Sequence, residues 1–239
     1  MSKVAIVAAL EREVRPLVRG WKVNGKQHEG RRFRFFEKDD VVVVCGGIGA
    51  AAARRATEAI IALYAPNVVW SAGFAGALDP TLKVGDLVQP RRLVNAGDGS
   101  SVRLDRGQGV LVSFAGVASP QQKAKLRDSF LALAVDMEAS AVARAAEARQ
   151  VEFRVVKVIS DEADFVFPAM ERFVDAEGKF AESKFAFFAV LRPWLWPRVV
   201  AMARNSTCAS QVLCRQLGTS DLKPGGAVGD GRGREAVNR

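Results

Sequence analysis

Three carboxylates in this chain stand directly after apolar runs. Glu13 follows Val4–Leu10, Glu138 follows Leu133–Asp136, and Asp161 follows Phe153–Ser160. A carboxylate just past a buried strand can hold a water and take its proton during attack, which is the chemistry read for Glu13. Glu138 can accept hydrogen bonds from two sugar hydroxyls. Asp161, partly desolvated, can carry a proton and donate it. Each residue also has a plainer reading. Glu13, beside Glu11 and Arg12, suits a solvated acid at a helix start; Glu138 suits the positive end of a helix dipole; Asp161 after Ser160 suits a helix cap. Gly46-Gly47-Ile48-Gly49 offers backbone N–H groups to an anion or a ribose, or simply makes a tight strand-to-helix turn. It has neither the Lys-Ser/Thr of a P-loop nor a full Gly-x-Gly-x-x-Gly.

Other chemistries are poorly supplied. His28 is the single histidine, and Cys45, Cys208 and Cys214 show no Cys-x-x-Cys pair. A metal site and a Ser-His-Asp scheme are therefore not expected, and the odd cysteine count suits reduced thiols in the cytoplasm. His28 lies in the polar stretch 24–32 and reads as a solvated loop residue. The chain carries a formal charge of +9, and residues 1–39 hold ten Lys/Arg against five Asp/Glu. A basic surface can meet nucleic acid, an anionic membrane face or a phosphorylated substrate. No helix-turn-helix, RNA-binding or zinc-finger signature accompanies it, so no nucleic-acid partner is expected. No charged leader precedes the first apolar run and no run is long enough to span a bilayer, so neither a signal peptide nor a membrane span is expected.

The acids need a frame. Val4–Leu10 reads as a fully buried central strand and Glu11–Arg15 as a helix start or tight turn. Residues 32–37 and 41–45 read as paired strands, and Ala50–Tyr64 as a helix ended by Pro66. Asn67–Ala72 reads as a strand, Gly73–Gly76 as a turn, Gly85–Val88 as a strand start and residues 91–109 as a loop. A strand at Val110–Phe114, a helix at Pro120–Ser129, a strand at Leu133–Asp136, a helix at Met137–Arg149 and a strand at Phe153–Ser160 follow. Helical segments near Ala181–Leu191 and Val199–Leu217, separated by Pro193 and Pro197, close the chain. The alternation predicts a three-layer α/β/α sandwich around a twisted mixed, largely parallel sheet. Residues 1–218 are read as one domain and the Gly- and charge-rich 219–239 as a flexible tail. In such a sheet, ligands gather at strand carboxyl ends. That rule selects Glu11/Glu13, Gly46–Gly49, Gly73–Gly76, Asp136–Glu138 and Ser160–Asp161 as one group.

With these motifs in order, namely Gly46–Gly49, Gly73–Leu78, Pro80–Asp86, Val135–Ser140 and Val158–Asp164, the chain resembles the purine nucleoside phosphorylase and methylthioadenosine/S-adenosylhomocysteine nucleosidase superfamily over roughly residues 3–175. The resemblance implies that Glu13 positions an attacking water, that Glu138 binds the ribose 2′ and 3′ hydroxyls under Met137, and that Asp161 protonates or hydrogen-bonds N7 of a purine. It implies that the backbone at Val117 and Ala118 faces the base and that Ile48 lines the sugar pocket. Gly73, Phe74 and Ser160 fall in the same strand-end groups as further substrate contacts. No metal or organic cofactor is required, and a homodimer is implied.

The sequence also departs from that family. Phe74 stands where a phosphate-contacting serine is expected, which favours water as nucleophile, although Arg15 or another arginine remains a phosphate ligand by charge. Position 117 is Val where an aromatic often stacks on the base, and Phe165-Val166-Phe167 replaces a more polar segment. The segments Phe185–Phe188 and Pro193–Pro197 are unusually apolar, suiting core, a dimer interface or a large 5′ substituent. Together these features resemble the hopanoid-associated branch, thought to release adenine from adenosylhopane. Such a substrate, with its lipid 5′ group, would give the basic N-terminal third a reason to contact anionic lipid at the membrane periphery.

Overall fold

A computed structural model describes residues 3–166, 173, 178, 181 and 192–218. The first strand, β1 (Val4–Ala8), is buried along its whole length. Its alternate side chains go to opposite faces, as strand geometry dictates. Val4, Ile6 and Ala8 pack with Val14 and Val18 of α1 (Glu11–Val18) and with Ala209, Leu213 and Leu217 of the last helix, α5 (Trp196–Gly218). Ala5 and Val7 pack with Ala53, Ala56 and Ile60 of α2 (Ala50–Tyr64) and with Val142 and Ala146 of α4 (Ala139–Glu147). Helices thus cover both faces of the sheet, giving three layers. Each large aliphatic chain so buried contributes about 1.5–3 kcal/mol.

The remaining strands are β2 (Lys22–His28), β3 (Arg31–Lys38), β4 (Val41–Cys45), β5 (Val68–Ala77), β6 (Leu87–Val88), β7 (Arg92–Asn95), β8 (Ser101–Arg103), β9 (Val110–Ser113), β10 (Ala134–Asp136) and β11 (Glu152–Asp161). Helix α3 (Pro120–Phe130) lies between β9 and β10. The main path runs β2-β3-β4-β1-β5-β10-β9-β7-β8, with β11 paired to β5 and β6. The centre is parallel: β1 with β4 and β5, β5 with β11, and β9 with β7 and β10. The β2-β3-β4 meander and the β7–β8, β5–β10 and β6–β11 pairs are antiparallel. The sheet is therefore more evenly mixed than its apolar runs suggest.

β5 links the two halves. Val68–Ser71 pairs with β1, and Gly76–Ala77 pairs with β10. Gly73–Gly76, expected to be a turn, thus continues the strand. Residues 91–109, expected to be a loop, contain β7 and β8. His28 is no loop residue either: it ends β2 opposite Arg31 and has a largely covered side chain. Helix α4 starts at Ala139, so Glu138 precedes it as the N-cap residue. Helix α5 starts at Trp196 and takes Pro197 into its first turn, where a missing N–H costs little. The expected helix at 181–191 and the tail 219–239 fall outside the described residues, apart from Ala181. Among the described residues no helix is long and apolar enough to cross a membrane.

Candidate active site

The chain leaves β1 through Ala9 and Leu10 and enters α1 at once. Glu13 folds back over this corner: its Oε2 accepts from the backbone N–H of Ala9 at 3.2 Å and of Leu10 at 3.4 Å. Two donors that a helix start would leave unpaired are thereby satisfied. From the opposite side Ser210 of α5 donates to the Glu13 carbonyl at 3.0 Å. Glu13 is buried, not a solvated acid. Burial raises its pKa, with the charge of Lys157 as the main opposing influence.

The glycine run makes the second acid. Gly46 lets α2 approach, since a Cβ there would lie 2.6 Å from that of Ala56. Gly49 adopts φ +93 and donates its N–H to Oε1 of Glu138 at 2.7 Å. The anion held by this backbone is thus the chain's own glutamate. The Met137 N–H adds a longer bond of 3.3 Å to Oε2. Burial pushes the Glu138 carboxyl up to about 7, Lys157 opposes, and the negative charges of Asp136 and Glu13 add to the rise.

Lys157, in the middle of β11, joins these groups. Its Nζ lies 2.8 Å from Oδ2 of Asp136, and the lysine side chain is fully enclosed. Burial opposes its charge, but Asp136, Glu138 and Glu13 outweigh burial and raise its pKa. Asp136 is fixed further by Ser113 Oγ at 2.6 Å and the Ala139 N–H at 2.8 Å. Gly73 lies beneath this cluster, where a Cβ would fall 2.9 Å from Glu13 Oε2 and 3.6 Å from Lys157 Nζ.

The third acid stands where β11 slips register against β5, between Ile159 and Asp161. Asp161 is buried and has both oxygens engaged: Ser160 Oγ donates to Oδ1 at 2.8 Å, and Lys123 Nζ of α3 lies 2.5 Å from Oδ2. Gly76 leaves room for this pair, because a Cβ there would lie 2.7 Å from Oδ2.

A cavity of about 650 Å³ opens over all three acids. Glu13, Glu138, Asp161, Ile48, Phe74, Val117, Ala118, Met137 and Ser160 all line it, whereas Gly73 stays behind the wall, as do Gly46 and Gly47, and Glu11 lies in a different groove. Arg15 lies elsewhere, in a groove between α1 and α5. It is thus no phosphate ligand for this cavity. Sequence reasoning missed Lys157, Lys123 and Arg12, the last two being the cations on the wall. Lys157 had a readable signal, a charge inside the apolar run Val155–Ile159. Lys123 had none, in the polar stretch Gln121–Lys125.

Known proteins resemble this chain in sequence and in fold. A 5′-methylthioadenosine/S-adenosylhomocysteine nucleosidase of Glaesserella parasuis is 28% identical over 200 residues, covering 68% of this chain and 86% of that protein. The crystal structure of the nucleosidase of that name from Neisseria meningitidis, in complex with methylthio-immucillin-A, superposes with a TM-score of 0.67 at 21% identity, covering 91% of this chain and 97% of that one. Native futalosine hydrolase of Helicobacter pylori gives a TM-score of 0.64 at 21% identity, with 90% and 97% covered. These structures share the fold. The model of the phosphorylase superfamily matches residues 3–115 and 100–189, and the chain belongs to that superfamily.

Proposed function

We propose that this chain is a purine nucleosidase that hydrolyses the N-glycosidic bond of a 5′-substituted adenosine. The observation that carries the reading is the convergence of Glu13, Glu138 and Asp161 on one cavity, with Glu13 and Glu138 biased toward higher pKa by burial. Breaking the bond places positive charge on the ribose ring and an electron pair on the base. Asp161 supplies a proton at N7, so the base leaves neutral. Glu138 accepts from the 2′ and 3′ hydroxyls. Glu13 takes a proton from the water that attacks C1′, and the negative charge beside the sugar stabilises its oxocarbenium character.

Electrostatics favours water over phosphate. Glu13, Asp136, Glu138 and Asp161 line the cavity against Arg12 and Lys123, and Lys123 is already paired with Asp161. A phosphate dianion beside Glu13 would meet net repulsion, and Phe74 offers it no hydroxyl. The nucleosidases of similar sequence and the wall of Ile48, Phe74, Phe114, Val117 and Met137 support an adenosine with an apolar 5′ group, methylthioadenosine or, at the large end, adenosylhopane. Exposed Trp194, Trp196 and Val200 on the approach to α5 and in its first turns give an aromatic surface for a bilayer, as such a lipid substrate would need.

The test supplies the purified full chain with methylthioadenosine, adenosylhomocysteine, inosine and adenosylhopane, each with and without phosphate. Free adenine and free sugar without phosphate are expected. Strict phosphate dependence, with a sugar 1-phosphate as product, would overturn hydrolysis.

A further inference from the structure

Lys123 is placed against the usual logic of helices. It sits in the first turns of α3, where the dipole disfavours a cation. It is nevertheless almost wholly enclosed, at 2% exposure. Its Nζ spends its donors inward, on Asp161 Oδ2 at 2.5 Å and on the Glu162 carbonyl at 2.6 Å. The local structure is built around this reach. Ser119 caps α3 by accepting from the Gln122 N–H at 3.3 Å, and Gln122 Oε1 accepts in turn from the Ser119 N–H at 2.8 Å. That reciprocal cap fixes the turn from which Lys123 projects. On the far side Gly76 keeps the space clear, since a Cβ would lie 3.2 Å from Lys123 Cε and 3.3 Å from its Nζ.

Both Asp161 oxygens are engaged, Oδ1 by the Ser160 hydroxyl and Oδ2 by the Lys123 ammonium, so a proton that reaches N7 through Asp161 has that ammonium as its adjacent donor. We infer that Lys123 is the proton reservoir for the leaving group and that Asp161 is its conduit. This inference rests on the nucleosidase reading above. As the C1′–N9 bond breaks and its electron pair moves onto the base, N7 takes the proton from the Asp161 carboxyl, and that carboxyl takes one from the Lys123 ammonium. The lysine ends as a neutral amine. The attacking water gives its proton to Glu13, and solvent restores both groups after release. Protons and charge balance over the turnover, with no redox partner. Lys123 acts through Asp161, to which its Nζ is bonded, so its role must be separated from mere bracing.

Two variants and two leaving groups do this. Lys123→Met removes the reservoir. Lys123→Arg keeps a positive partner for Asp161 but gives up no proton near neutrality. A 4-nitrophenyl riboside leaves as a stable phenoxide and needs no proton. Proton supply predicts that both variants lose about 100-fold or more in kcat on the adenine nucleoside, with KM within about threefold. Both should cleave the nitrophenyl riboside within about fivefold of the unaltered enzyme. Equal losses on both leaving groups, or adenine release restored by arginine, would reduce Lys123 to a brace and overturn the inference. Full adenine release by Lys123→Met would overturn it outright. If the unaltered protein instead releases no base from any nucleoside, the nucleosidase reading itself has failed.

Discussion

Lys157 and Asp136 meet at 2.8 Å with neither side chain open to solvent, and the same ammonium also faces the charges of Glu13 and Glu138. One buried cation therefore holds three carboxylates together. Removing one partner of such a pair strands the other charge, at a cost of about 3–5 kcal/mol. Lys157→Met should destabilise the chain by that order in urea unfolding. Asp136→Asn combined with Lys157→Met should recover a good part of the loss, a coupling that a double-mutant cycle reads directly. Additive losses would show that the pair is not the unit of stability.

Glu138 titrates near neutrality, and the sign of its effect on folding follows. Its folded pKa of about 7 stands above the ordinary 4.5. The unfolded chain gives up the proton first, so stability is full below about 4.5 and falls as pH rises toward 7. The difference is on the order of 2 kcal/mol once the cavity-facing edge of the side chain is discounted for solvent screening. Glu13, also raised, acts in the same direction. Unfolding free energies measured from pH 4.5 to 7.5 should show this decline, and Glu138→Gln should flatten most of it. An unchanged slope in the variant would assign the titration elsewhere.

Much of the frame was legible because it is written in apolar runs. Ala50–Tyr64 and Val41–Cys45 fall where the sequence places them, and the strand-end rule gathered the acids into one group. Gly73 and Gly76 misled, since glycines inside an apolar run read as a turn. They are there for room: one clears Glu13 and the other the Asp161–Lys123 pair. The strands β7 and β8 escaped because they are only a few residues long and carry polar or charged residues around their apolar ones. Lys123 and Lys157 join elements distant in sequence, so no local spacing announces their partners.

Asp161 gives the sharpest kinetic expectation. Asp161→Asn keeps the shape but cannot carry the proton, and adenine release should fall by about 100-fold or more. Assays at saturating nucleoside separate this from weaker binding. Retention of most activity would remove Asp161 from leaving-group chemistry.

Leu131 offers a test of the backbone alone. It ends α3 at φ 50, the left-handed region, with its side chain 82% exposed. A residue with a Cβ pays about 1–2 kcal/mol there, and glycine escapes most of that penalty while losing more chain entropy on folding. Leu131→Gly should therefore stabilise the chain by about 0.5–1 kcal/mol with no change in turnover. Thermal unfolding reads the gain; a lower midpoint would mean that Leu131 packs more than its exposure indicates.

Gly73 tests whether the position of Glu13 matters as much as its presence. An added methyl would fall 2.9 Å from Oε2, and the strand beneath is held on both sides, by β1 up to Ser71 and by β11 at Lys157. The backbone of Gly73 has no room to retreat, so the glutamate must. Its bonds to Ala9 and Leu10 are already 3.2 and 3.4 Å, weak enough to yield. Gly73→Ala should therefore fold with a modest loss of stability, yet lower kcat by about tenfold or more through a displaced water-activating carboxylate. KM should change little, because Gly73 does not reach the cavity wall. A rise in KM with kcat intact would place the strain on the sugar contacts and away from the attacking water.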